Sequence, residues 1–87
     1  MSTTRKDIQE IAAIYIESAE AGQNYMSTRD RAELARHTEL FKTADERFEA
    51  LIATDSSLYD CELREIRYAI TQCNFNDAKA RYSVLAS

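Results

Sequence analysis

Proline is absent from this chain, and glycine occurs once, at Gly22. Both residues interrupt helices, so their scarcity leaves Ala, Leu, Glu and Arg to set a nearly uniform local preference for helix. Cysteine occurs only twice, as Cys61 and Cys73, too few and too far apart for a zinc framework. In a helical setting both read as small apolar packing residues. No apolar run approaches the roughly 18 residues needed to cross a bilayer. Met1 to Asp7 is polar where a signal peptide would be apolar, so a reducing cytoplasm is the expected compartment. There is no glycine-rich loop to cradle phosphate and no pair of carboxylates isolated among apolar residues, which argues against an enzyme. No cofactor is implied.

What remains is a chain of 87 residues, enough for one domain, 1–87. A domain this small buries only about 60 to 65% of its unfolded surface, so its core is thin. Fifteen acidic against eleven basic side chains leave a net charge of -4. That balance argues against a general affinity for phosphate backbones or anionic lipid, so neither nucleic acid nor membrane is an expected partner.

The apolar residues recur with helical spacing. Leu34, His37, Phe41, Ala44, Phe48 and Leu51 step by three and four, which places them in one stripe on a helix and makes Ser27 to Thr54 the stretch that organises the chain. Ile8, Ile11, Ala12, Tyr15, Ile16 and Ala19, flanked by Ile14, form a broader arc, wide enough to meet two helices. Tyr59, Leu63, Ile66, Ile70 and Cys73 make a third seam. After Cys73 the phase slips, and Phe75, Ala78, Tyr82 and Leu85 make a fourth.

The breaks between these stripes set the boundaries. Met1 to Thr3 reads as frayed, Thr4 with Asp7 as a capping box, and Gly22 as the left-handed residue that ends the first helix. Ser27 with Asp30, or Thr28, caps the second helix, and Ser57 with Asp60 the third. Asn74 and Asn76 mark a corner. The expected fold is all-α: a small antiparallel bundle of three main helices, at about 5–21, 28–53 and 58–72, with a short C-terminal fourth at about 77–85 folded back as a lid.

Phe41, Ala44, Phe48 and Leu51 recur as Phe75, Ala78, Tyr82 and Leu85, an offset of 34 residues. The spacing is similar to that of tetratricopeptide repeats, whose second helix carries an aromatic, an alanine and another aromatic in that order. The match covers the C-terminal half only. It lacks a Gly before Phe75, a Pro near Ser56 and a turn signal between Ala35 and Phe41. Heptad packing produces the same coincidence, and one continuous second helix is the simpler reading.

His37 lies within the apolar arc of the second helix and must find a polar partner there. Glu33, one turn earlier, is the nearest candidate, and the two form the expected polar core pair. A pH switch or a small-ligand pocket around His37 are the functional alternatives. Metal binding would need three or four ligands, and this pair supplies two.

Surface is then the remaining resource. Cys61, Arg64 and Tyr68 lie opposite the third seam, and Arg64 can stack on the Tyr68 ring. Ile14 and Leu40 lie at the edges of their stripes. These five residues form the candidate interaction surface, and a homodimer or a tight complex with another protein is expected to cover some of Ile14, Leu40 and Tyr68. The favoured function is that of a non-enzymatic helical protein working through protein–protein interaction, as a self-associating subunit, adaptor or regulator. The alternative is a small acidic inhibitor, resembling in size and acidity those encoded by phages and other mobile elements, that blocks a host nuclease or CRISPR effector, in one version by nucleic-acid mimicry. The arginines interrupting the carboxylates weigh against mimicry.

Overall fold

Helix already includes Thr3 in the computed structural model, which describes residues 3–86. Four α-helices form, with no strand among the described residues: α1 (Thr3–Thr28), α2 (Arg31–Thr54), α3 (Glu62–Thr71) and α4 (Phe75–Ala86). A short 3-10 turn, Ser56–Asp60, lies between α2 and α3. This is the small all-α bundle that the composition implies. Its proportions differ from expectation, with two long and two short helices in place of three main ones and a lid. No helix among the described residues is long and apolar enough to cross a membrane.

The central element is α1, which packs against α2, α4 and α3. Its side chains Ile8, Ile11, Ala12, Tyr15, Ile16 and Ala19 are all buried, and the broad apolar arc thus serves three neighbours instead of two. Leu63, Ile66, Ala69 and Ile70 of α3 and Phe75, Ala78 and Leu85 of α4 complete the core. Each Leu, Ile or Phe buried in this way contributes roughly 1.5–3 kcal/mol. On α2 only Ala44 and Phe48 are fully buried, whereas Phe41 and Leu51 are half-covered and Leu34 is 40% exposed. The second helix therefore does not organise the fold. It packs mainly on α1 and on the 3-10 turn, whereas α3 and α4 pack on α1 and on each other.

Gly22 does not end α1, which continues six residues further, to Thr28. The chain has no glycine with positive φ, and the left-handed residue that turns it is Arg29, at φ 58°. Its amide donates to the Tyr25 carbonyl at 2.7 Å. Asp30, not Ser27 or Thr28, caps α2, its carboxylate accepting from the Ala32 amide at 2.9 Å. The short acid reaches the free amides directly, while the Thr28 hydroxyl is used to close α1 on the Asn24 carbonyl.

From Arg31 to Thr54 the second helix is unbroken, so no repeat-like helix pair forms within it. The aromatic-alanine-aromatic sets of α2 and α4 both lie against the shared core, which accounts for their likeness by common packing. Asp55 caps the 3-10 turn by accepting from the amide and hydroxyl of Ser57, and α3 starts at Glu62, four residues later than expected. The corner after α3 is made by Cys73, at φ 58° and exposed, so this residue belongs to a turn and not to the seam. Helix α4 then starts at Phe75, two residues early, and Thr4 lies inside α1 instead of capping it. The frayed start expected over Met1 to Thr3 lies, apart from Thr3, outside the described residues.

Candidate functional site

The expected Glu33–His37 pair does not form. The His37 Nδ1 lies 2.8 Å from the Ser18 carbonyl oxygen and 3.0 Å from the Ser18 hydroxyl, while that hydroxyl donates to the His37 carbonyl at 2.9 Å. A carbonyl oxygen only accepts, so Nδ1 is the protonated ring nitrogen. Gly22 makes this contact possible, since a Cβ built on it would stand 2.9 Å from Nδ1 and 3.0 Å from the Phe75 ring. With no side chain one turn beyond Ser18, the imidazole reaches the helix backbone and uses the second lone pair of a carbonyl within α1. Glu33 faces Arg36 instead, at 3.8 Å. A partner on the neighbouring helix displaced the one on the same helix.

A second polar network joins three helices. Tyr15 of α1 is fully buried, and its hydroxyl donates to Asp45 Oδ1 at 2.5 Å. Arg67 of α3 grips the same carboxylate with two nitrogens, at 2.8 and 3.2 Å. Its guanidinium stands 5.3 Å over the Phe41 ring, which meets the Tyr15 ring edge-on at 5.5 Å. Burial, reinforced by the bond to Asp45, pushes the Tyr15 hydroxyl well above its ordinary value. Bidentate arginine–carboxylate geometry is among the stronger charged contacts, and here it ties α3 to α2 at the carboxylate that Tyr15 of α1 also bonds. The sequence reading did not single out Asp45, Arg67 or Ser18. The available signal was Tyr15 itself, a phenol in the middle of an apolar stripe that requires a polar partner.

Beside this network a groove of about 230 Å³ is lined by Phe48, Ile52, Tyr59, Arg64, Arg67, Asp45 and Glu49. Its continuation along α2 is lined by Phe41, Lys42, Glu46 and His37 among others, and shares Asp45 and Glu49. Apolar Phe48 and Ile52 line its first part together with the charged Asp45, Glu49, Arg64 and Arg67.

Of the five residues expected to form the interaction surface, Arg64 alone lines this groove. Its guanidinium stacks on Tyr59 at 4.8 Å, not on Tyr68, and bonds Asp60 at 2.5 Å. The 3-10 turn brings Tyr59 close to Arg64, where a continuous α-helix would set two residues five apart about 140° from each other round the rod. Tyr68 is 62% exposed on α3. Cys61 is half-buried against the core at the start of α3, where burial pushes its thiol up and keeps it in the neutral, weakly nucleophilic form. Ile14 is half-buried against the core and Leu40 half-buried on α2. Among the described residues no three of His, Cys, Asp and Glu are grouped so as to hold a metal ion.

Comparison with protein-family models, with curated proteins and with solved structures found no match to this chain.

Proposed function

We propose that this chain is a non-enzymatic helical module that works by binding another protein through the groove between α2 and the start of α3. The observation that carries this reading is the Tyr59–Arg64 stack, an exposed aromatic and a guanidinium that line one groove with Phe48 and Ile52. Tyr and Arg dominate the energetic centres of interfaces because they bring large area with few rotatable bonds and several donors. The raised, neutral Cys61 thiol and an imidazole whose Nδ1 is already committed to Ser18 support a role without chemistry.

A ligand pocket around His37 is disfavoured by the same commitment. Nucleic-acid mimicry is disfavoured because Arg36, Arg47, Arg64, Arg67 and Arg81 each neutralise a carboxylate of the chain. An inhibitor that blocks a host enzyme through direct protein contact would use the same groove and is read by the same experiment. Affinity capture with mass spectrometry, comparing the parent with a Tyr59→Ala, Arg64→Ala double variant, tests the proposal. A specific partner is expected with the parent and lost with a variant whose circular dichroism is unchanged. Equal capture by both proteins would exclude the groove.

A further inference from the structure

The α1–α2 hairpin is longer than the layer that covers it. The start of α4 meets the hairpin where Phe75 lies beside Gly22 and His37, and its polar contacts reach Gln23 through Lys79 at 2.7 Å. Beyond that point the last turn of α1 and the first turns of α2 have chiefly each other. Two helices cannot enclose their own apolar side chains. Met26 is 50% and Leu34 40% exposed there, and a broad recess of about 620 Å³ is lined by Tyr25, Arg31, Leu34, Ala35, Thr38 and Glu39.

The charges around this recess are organised about Ala35. Arg31 lies four residues before it and Glu39 four residues after, so the two stand one turn to either side of a small residue on the outward face of α2. Each other arginine of the described chain has a partner within it. Arg5 bonds the Leu85 carbonyl, Arg29 covers the Tyr25 ring, and Arg36, Arg47, Arg64, Arg67 and Arg81 are ion-paired. Among the described residues Arg31 has none, and Glu39 has none either.

We infer that this face docks a second copy of the chain, with α2 antiparallel to α2 and the two-fold axis crossing at Ala35. In that register residues whose numbers sum to 70 stand opposite one another, since the axis maps Ala35 onto itself. Arg31 of each copy then faces Glu39 of the other, and the ion pair forms twice. Ala35 against Ala35 permits close approach of the rods, as small residues at a helix crossing do. The two Leu34 side chains, about 100° round each rod from Ala35, fall on the same flank of the seam, with Tyr25 of each copy beside them. A surface with a cation and an anion equidistant from a small residue is its own complement under a two-fold rotation. The part of the groove around Phe48, Ile52, Tyr59 and Arg64 shares no lining residue with this recess and stays open in the dimer, while its continuation along α2 meets the recess at Thr38.

Sedimentation velocity across a concentration series, on the parent and on Arg31→Glu and Glu39→Arg, tests the inference. Both positions are exposed, and circular dichroism verifies that each variant folds. The parent dimerises with a micromolar dissociation constant, and each single reversal weakens this by at least about tenfold, because it places like charges opposite twice. Mixing the two single variants restores a dimer, as does the double reversal in one chain, since each arrangement again sets a cation against an anion at both pairs. A parent that stays monomeric at about 100 µM overturns the inference, and such a result leaves partner capture at the groove untouched. A dimer indifferent to the single reversals, or one lost on reversal and not recovered by mixing, also overturns it.

Discussion

Replacing Gly22 by alanine sets two opposing effects against each other at one residue. Helix propensity favours the change by about 1 kcal/mol, because Gly22 lies inside α1 without positive φ and alanine has less backbone entropy to lose. Packing opposes it. The new methyl would stand 2.9 Å from His37 Nδ1, 3.2 Å from its Cε1 and 3.0 Å from Phe75 Cζ. The imidazole cannot retreat freely, since Nδ1 is held by Ser18 at 2.8 and 3.0 Å, and Phe75 is buried in the core. Overpacking of this kind costs about 1–3 kcal/mol, and weakening the His37–Ser18 bond about 0.5–1.5 kcal/mol more. Set against the propensity gain, the expected result is a net loss of about 0.5–3.5 kcal/mol, a large fraction of a small domain's stability. Urea unfolding followed by far-UV circular dichroism measures it. In a His37→Ala background the methyl has room beside α2, so the loss should shrink by about 1 kcal/mol or more, a coupling that a double-mutant cycle reads directly. If Gly22→Ala alone raised stability by about 1 kcal/mol, the close approach of α2 and α4 to α1 at this point would be refuted.

Tyr15 carries an alkaline signature: its folded-state pKa is raised, so its contribution is complete below the unfolded value near 10 and fades as pH rises above it, by about 1.4 kcal/mol per pH unit. Urea melts from pH 8 to 11 should show that loss in the parent and a flatter profile in Tyr15→Phe. Phe48→Ala, which empties a buried site, should cost about 3–5 kcal/mol, whereas Glu46→Ala on the exposed face of the same helix should stay within about 0.5 kcal/mol. Equal losses would place α2 in a different rotational phase. Asp45→Asn removes the charge that Tyr15 and Arg67 share, and a loss of about 1.5–3 kcal/mol is expected in the same assay. No loss would mean that this network does not hold α3 to α2. Arg64→Ala should leave stability within about 0.5 kcal/mol, because its ion pair with Asp60 is exposed, while reducing capture of the partner.

Helical periodicity alone located the four stripes, and their buried members Phe48, Ile66, Phe75 and Leu85 are in the core. Helix boundaries followed less closely from the pattern. Gly22 carried the composition of a stop signal, yet its lack of a side chain was used for an approach between helices, which no local pattern displays. Cys73 matched the step of the third seam, but the backbone turned there and took it out of phase. At the site, Arg64 was legible as an exposed arginine, while the ring it covers, Tyr59, became its neighbour only through the 3-10 turn.

Composition and spacing determined by themselves that the chain is all helix and which face of each helix is apolar, because both follow from the backbone preferences and repeat of a single helix. Tertiary structure decided which helix is central and which polar groups meet. Burying α1 on three sides makes it the core element despite the longer heptad run in α2. The bonds His37–Ser18 and Tyr15–Asp45–Arg67 join residues at least 19 positions apart in the chain, or 22 between Asp45 and Arg67. Such contacts depend on how the rods are set against each other, a quantity fixed by side-chain volume at each crossing and absent from the periodicity of any one of them.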